Sequence, residues 1–207
     1  MHPATIYRTL PDLILASASP RRRQLLEAMG LACRVEVASI DEKKVFAQYA
    51  ASCDDTRVTQ QALVCEVARQ KAMAIPLRGD ALVLAADTAV FLGDQRLDKP
   101  KDLAEARATL GLLAGQTHTV ISAFCLRSMQ QEFTVADTVR VTMACLSPEE
   151  IEYYISSTPP LDKAGAYGIQ EWIGWVGISR IDGAYATVMG LPTHLLHRTL
   201  LHDILRS

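Results

Sequence analysis

Residues Ala81 to Ala86, ALVLAA, form a continuous apolar run that stops abruptly at Asp87-Thr88. Such a run, without polar alternation, is the pattern of a strand covered on both faces. Covering both faces takes helices above and below, so the run predicts an α/β fold and places Asp87 at a strand's carboxyl end. In open α/β sheets ligands collect at those ends. An aspartate there also suits a plain turn cap.

The second informative stretch, Leu13 to Gly30, reads LILASASPRRRQLLEAMG. It has the form of a short buried strand, a serine-bearing turn and a helix. Ser19 suits the N-cap, Pro20 the first helical position and Gly30 the C-terminal stop, while Leu25, Leu26 and Met29 supply an apolar face. Arg21, Arg22 and Arg23 fall in the first turn, where cations oppose the helix macrodipole at about 0.3–1 kcal/mol each. An anion reverses that sign, because free N–H groups, the hydroxyls of Ser17 and Ser19 and guanidinium forks together make a phosphate site. The same arginines also suit a solvated, exposed turn.

The remaining chain alternates short strands and helices. Residues 1–11 lack a clear period and read as a loose extension. Cys33 to Ala38 alternates as a strand with Asp41-Glu42 beyond its end, and a polar connection runs on to about Asp55. Thr56 to Ile75 is helical, with Val64, Ala68, Lys71 and Ile75 on one stripe. Lys71 thus shares a face with apolar neighbours, where it either snorkels or points into a polar cleft at the edge of the core. Ala89–Leu92 and Arg96-Leu97 flank Gly93-Asp94-Gln95 as a hairpin that delivers Lys99. A helix over Leu103–Leu113, an antiparallel pair over Thr117–Leu126 and Phe133–Cys145, and a helix opening at Ser147-Pro148 follow, so the sheet is mixed. In Leu161 to Gln170, small residues surround Lys163, Tyr167 and Gln170 and leave room for close ligand approach. Ile173 to Ile181 reads as a strand, Gly183 as a turn and Leu191-Pro192 as the start of a last helix. His194, His197 and His202 sit on or near its polar side as surface histidines. Without a repeat or an interdomain linker, residues 1–207 read as one domain.

Composition narrows the function. With 207 residues and 49% hydrophobic content, the chain can bury a sizeable core. Its 21 basic and 23 acidic side chains leave a net charge of -2, which argues against a general nucleic-acid-coating protein. Cys33, Cys53, Cys65, Cys125 and Cys145 are scattered and odd in number, as in a reducing cytosol. Ala16-Ser17-Ala18 resembles a signal cleavage site, but Asp12 leaves the preceding apolar stretch too short. No run approaches the roughly 18 apolar residues of a membrane span.

Gathered by chemistry, Ser17, Ser19, Arg21 and Arg22 are anion binders, Asp41, Glu42 and Asp87 are carboxylates, and Lys71 and Lys99 are cations. That set suits phosphoryl transfer assisted by a divalent metal, with Asp87 as base or metal ligand. The chain has no P-loop, no strand-linked G-x-G-x-x-G and no serine nucleophile elbow.

The motifs LASASPRR at Leu15–Arg22, Asp41-Glu42, Gln70-Lys71-Ala72, Ala86-Asp87-Thr88, Lys99-Pro100, DKAGAYGIQ at Asp162–Gln170 and Val188-Met189-Gly190-Leu191-Pro192 occur in that order. In this the chain resembles the Maf family of nucleotide pyrophosphatases, from about Leu13 to Leu205. The resemblance implies an elongated mixed β-sheet flanked by helices, with a cleft between two lobes. It also implies a cytoplasmic homodimer that uses Mg²⁺ or Mn²⁺ to hydrolyse a nucleoside triphosphate to the monophosphate and pyrophosphate. The implied roles are general base for Asp87, with Asp41 beside it as metal ligand, and catalytic cations for Lys71 and Lys99. Substrate binding falls to Ser17, Ser19, Arg21, Arg22, Thr88, Lys163 and Gln170. Arg21, Thr88 and Gln170 stand at the positions that separate substrate branches, and here resemble the dTTP- and UTP-hydrolysing branch rather than the one acting on 7-methyl-GTP. A glutamine amide pairs with the N3–H and O4 of uracil or thymine, including pseudo-UTP or 5-methyl-UTP, and a flipped amide suits cytosine. The family's link to septum formation in bacterial division leaves a second alternative, a non-catalytic regulator that binds nucleotides or nucleic acid.

Overall fold

The computed structural model describes residues 7, 9–37, 39–51 and 56–204. The elements are β1 (Leu13–Leu15), α1 (Pro20–Met29), β2 (Arg34–Val35), α2 (Glu42–Ala50), α3 (Thr56–Met73), β3 (Leu82–Leu92), β4 (Gln95–Leu97), α4 (Leu103–Leu113), β5 (Thr117–Arg127), β6 (Glu132–Met143), α5 (Pro148–Ser157), α6 (Trp172–Val176), β7 (Ile178–Asp182), α7 (Tyr185–Met189) and α8 (Thr193–Thr199). Among the described residues the strands form one mixed sheet in the order β2-β1-β3-β5-β6-β7, with β4 added to β3. β1 pairs in parallel with β2 and β3, whereas β4 and β7 pair antiparallel with β3 and β6. Helices flank the sheet, as the α/β pattern predicts. No helix among the described residues is long and apolar enough to cross a membrane.

The chain divides into two compact units, the first drawn from Met1–Asp87, Ser122–Asp137 and Gly190–Ser207, the second from Thr88–Ile121 and Thr138–Met189. The first builds its core from Leu13, Leu15, Leu26, Leu82, Leu84, Phe124 and Leu196 among others. The second packs Val90, Leu110, Leu113, Val139, Val141, Tyr154 and Ile173. Local signals account for several boundaries. Gly30 ends α1 at φ 82°, a left-handed conformation that glycine adopts without steric cost. Ser147 and Glu150 close a reciprocal capping box on α5.

Five expectations are corrected. The apolar run does not end at Asp87: β3 continues to Leu92, with Asp87 and Thr88 half-buried in mid-strand and burial resuming at Ala89. A buried ammonium partner, described below, lets the strand carry a carboxylate there. β2 shrinks to two exposed residues at the sheet edge, and Ala38 lies outside the described residues. The polar connection after Asp41 contains helix α2, which packs on α3. Residues 172–176 form one helical turn rather than a strand, because the Glu171 carbonyl accepts from the N–H groups of Gly174 and Trp175. A single turn is too short to display a 3.6-residue period. At the N-terminus, Tyr7 and Leu10 pack on the first unit's core, and the Tyr7 hydroxyl lies 2.6 Å from His197 Nδ1. The rest of residues 1–6 and Arg8 lie outside the described residues. The described cysteines, Cys33, Cys65, Cys125 and Cys145, are free thiols, and Cys53 lies outside the described set.

One buried histidine sets an acid limit on stability. His118 on β5 is 1% exposed, with Nε2 at 2.8 Å from the Tyr167 hydroxyl and Nδ1 buried without a partner. Burial lowers its pKa from 6.5 to about 4. The unfolded chain therefore takes up a proton at higher pH than the native one, so stability is fully present above pH 6.5 and is lost as pH falls through about 4. The expected contribution is a loss of about 2 kcal/mol between pH 7 and pH 5. His118→Gln, which can still bond Tyr167 but does not titrate, should flatten the dependence of the urea midpoint over that window.

Candidate active site

The first unit supplies most of the chemistry. β1 delivers the turn at Ala16–Ser19, and the Ala16 N–H is tied to the Leu84 carbonyl of β3 at 2.7 Å. Ser17 is buried, and its Oγ accepts from the Ser19 N–H at 3.2 Å and from Arg22 Nη1 at 3.0 Å. Arg22 Nε also donates to the Gly190 carbonyl at 2.9 Å. One guanidinium thus fastens the serine turn to the segment leading into α8. Ser19 holds the N-cap position without a side-chain cap bond.

The three arginines divide by environment. Arg23 forms an exposed pair with Glu27 at 2.8 Å, an ordinary surface interaction. Arg21 is half-buried. Desolvation lowers the Arg22 pKa from its ordinary value; the charges of Asp87 and Glu42 raise it and that of Arg21 lowers it. Those four groups therefore belong to one electrostatic neighbourhood.

Lys71 joins them. It lies on α3, is 8% exposed, and its Nζ sits 2.7 Å from Asp87 Oδ1 and 2.8 Å from Glu42 Oε1. The apolar stripe of α3 carries the lysine stem inward, and its head meets β3 at the one place where the strand turns polar. Of the two anticipated positions for Lys71, the polar one at the core's edge is occupied. Asp41 is exposed, and its Oδ1 accepts from the Lys44 N–H at 3.0 Å as the cap of α2. Glu42, one residue on, is the carboxylate that reaches Lys71.

The second unit carries the remaining candidates. Thr88 follows Asp87 along β3 and is half-buried, while Lys99 is exposed just beyond β4. Gly165 has φ 71°, and a Cβ there would come within 3.0 Å of Val90 Cγ1; Ala166 is held at φ 59°. The glycine adopts that backbone without cost, whereas at a non-glycine residue such as Ala166 it costs about 1–3 kcal/mol, strain that collects in ligand-binding segments. Lys163 is 7% exposed and paired with Asp162 at 2.6 Å and Glu171 at 3.0 Å. Gln170 Nε2 faces Glu171 Oε1 at 3.5 Å, and Gln170 Oε1 is buried without a partner. Glu171 and Tyr154, whose hydroxyl donates to Glu171, were outside the sequence-derived set. The only local signal for Glu171 is its place directly after Gln170.

A divalent cation fits part of this donor set. Asp87 and Glu42 converge on one ammonium, and both are hard oxygen donors. Mg²⁺ is commonly held by one or two carboxylates together with substrate phosphates. Among the described residues no three His, Cys, Asp or Glu side chains form a preassembled cage. His194 and His197 are engaged elsewhere, with Asp137 at 3.9 Å and with Tyr7.

Three similar proteins are each named dTTP/UTP pyrophosphatase. The one from Christiangramia forsetii is 35% identical over 91% of this chain and 92% of its own length. The one from Porphyromonas gingivalis is 39% identical over 91% and 92%. The one from Anaeromyxobacter dehalogenans is 41% identical over 88% and 89%. The model of the Maf-like proteins matches residues 12–202, which include every candidate residue above, and the chain belongs to that family.

Proposed function

We propose that the chain is a nucleoside triphosphate pyrophosphatase that hydrolyses dTTP and UTP to the monophosphate and pyrophosphate, with modified pyrimidine nucleotides as further substrates. The observation that carries the proposal is the buried Lys71 ammonium gripping Asp87 and Glu42 in the same charged neighbourhood as Arg22. A base, a cation and an anion-binding turn are what attack of water on a phosphoanhydride needs.

In this mechanism Asp87 accepts a proton from water as the water oxygen bonds to the α-phosphorus. The bond from that phosphorus to the bridging oxygen breaks, and pyrophosphate leaves with its charge met by Lys71 and Lys99. Ser17, Ser19, Arg21 and Arg22 hold phosphate oxygens, and Thr88, Lys163 and Gln170 hold the nucleoside side. A divalent cation, held by Asp87 with Glu42 or Asp41, would add charge neutralisation at the phosphates. Cytoplasmic location and homodimeric assembly belong to the same proposal and rest on the family resemblance and the cysteine usage.

The test is a panel of nucleotides incubated with the protein and Mg²⁺, assayed for pyrophosphate and orthophosphate. One pyrophosphate per dTTP or UTP consumed is expected. Orthophosphate alone would move cleavage to the terminal bond, and binding without release would favour a nucleotide-binding regulator.

A further inference from the structure

Gln170 and Glu171 stand between the turn at 164–166 and α6, and Glu171 occupies the N-cap position of α6 without capping it. Its side chain folds back instead. The carboxylate accepts from the Tyr154 O–H and from Lys163 Nζ at 3.0 Å, and lies 3.5 Å from Gln170 Nε2. It occupies the space beside Gly168, where a Cβ would meet its Cδ at 2.6 Å. The Tyr154 hydroxyl also accepts from the Gly168 N–H at 3.1 Å, so this segment and α5 share one polar knot. Burial and the Glu171 charge push the Tyr154 pKa upward, which keeps the hydroxyl a donor.

An ionised carboxylate can only accept, whereas a glutamine amide donates from one end and accepts at the other. With Glu171 beside it, the amide of Gln170 must turn Nε2 toward the carboxylate. The reverse orientation would set a carbonyl oxygen against a negative oxygen 3.5 Å away. What remains is Oε1, buried and unpartnered, an acceptor that lacks a donor.

We infer that Glu171 is a positioning residue that fixes the Gln170 amide with its carbonyl presented, so that the protein accepts the imide edge of uracil or thymine and rejects cytosine. The inference rests on the proposed pyrimidine-nucleotide function and removes the ambiguity a free amide would leave. In one pose of the ring, N3–H of uracil meets Oε1 and O4 meets the second amide hydrogen. Cytosine in that pose sets its N3 lone pair against Oε1 and its amino group against the amide N–H. Each mispaired buried polar contact is worth about tenfold or more in affinity.

The experiment compares kcat/KM for UTP with that for CTP, and the Kd of UMP with that of CMP, in the wild-type and Glu171→Gln proteins. Gln at position 171 offers either end of its amide, which frees Gln170 to flip. The wild-type protein is expected to prefer uridine by at least about tenfold, and Glu171→Gln to lose most of that ratio. A purely structural role would weaken both nucleotides alike and leave the ratio intact. Tyr154→Phe disturbs the knot but leaves the carboxylate beside Gln170, so it should keep the ratio. Glu171→Met, similar in bulk without the charge, reads the same quantity if the Gln variant does not fold. An unchanged ratio in a folded Glu171 variant overturns the inference, as does a wild-type protein with no uridine preference. A protein that hydrolyses neither nucleotide but binds UMP over CMP, and loses that preference in Glu171→Gln, refutes the proposed function while upholding the role of Glu171.

Discussion

Asp87→Asn should fold and bind dTTP, yet turn it over about 10²–10⁴-fold more slowly than the wild-type protein, the usual cost of removing a general base. The amide keeps the shape of the side chain and removes its capacity to take a proton. Folding should survive because Lys71 keeps Glu42 at 2.8 Å as counter-ion. At saturating Mg²⁺ the loss should fall on kcat with a smaller change in KM, since Asp87 acts on water while Ser17, Ser19, Arg21 and Arg22 hold the phosphates and the cation keeps its remaining ligands. Pre-steady-state quench of dTTP with Mg²⁺ distinguishes slow chemistry from slow product release. Wild-type turnover in Asp87→Asn would remove Asp87 from the chemical step and leave its pairing with Lys71 as a structural ion pair.

How much of this was legible in the sequence follows from how far apart the cooperating residues stand. Signals within one turn read true: Ser147 with Glu150, Pro20 after Ser19, and Gly30 after Met29 all mark the helix ends they predict. Asp87 was conspicuous because polarity breaks into an apolar run. Its setting in mid-strand was not legible, because the partner that permits it comes from position 71, on another element. α2 escaped notice because its cap, Asp41, invited a chemical role, and the capping bond to Lys44 is a purely local backbone event. Lys71 showed the converse, a cation on an apolar stripe whose periodicity carried the stem inward but left open whether the head snorkels to solvent or meets a partner such as Asp87. Glu171 was the least legible, since its carboxylate acquires meaning only when the chain folds it back over Gly168 onto Tyr154 and Lys163.

The Arg21–Arg23 cluster is a case in which one sequence feature hides three physical situations. Arg23 finds Glu27 one turn along its own helix, which offsets part of the unfavourable dipole term. Arg22 turns inward to Ser17 and Gly190, and so organises the turn as well as charging it. A purely electrostatic account of the cluster would assign all three to phosphate. The hydrogen bonds of Arg22 give it a framework role that would operate before any substrate arrives.

Lys71→Met should be the most informative substitution for separating framework from catalysis. Methionine preserves the length and apolar stem but removes the ammonium between Asp87 and Glu42. Two carboxylates left that close, at an effective dielectric of about 20, repel by about 3 kcal/mol. Removing one partner of a fully buried pair costs about 3–5 kcal/mol. The Glu42 side chain is 40% exposed, so solvent screening reduces the expected loss to about 2–3 kcal/mol. Turnover of dTTP should fall by about 10²–10³-fold as an electrostatic stabiliser of the departing pyrophosphate is lost. Adding Glu42→Gln removes the repulsion, so the double variant should recover most of the denaturation midpoint while its turnover stays low. Recovery of both stability and turnover in the double variant would mean that Lys71 serves only to balance charge. Recovery of stability alone, with Glu42→Gln by itself keeping its turnover, would assign the ammonium a part in the reaction. The strain that its removal introduces would by then have been relieved, and the loss could not come from Glu42 as a cation ligand.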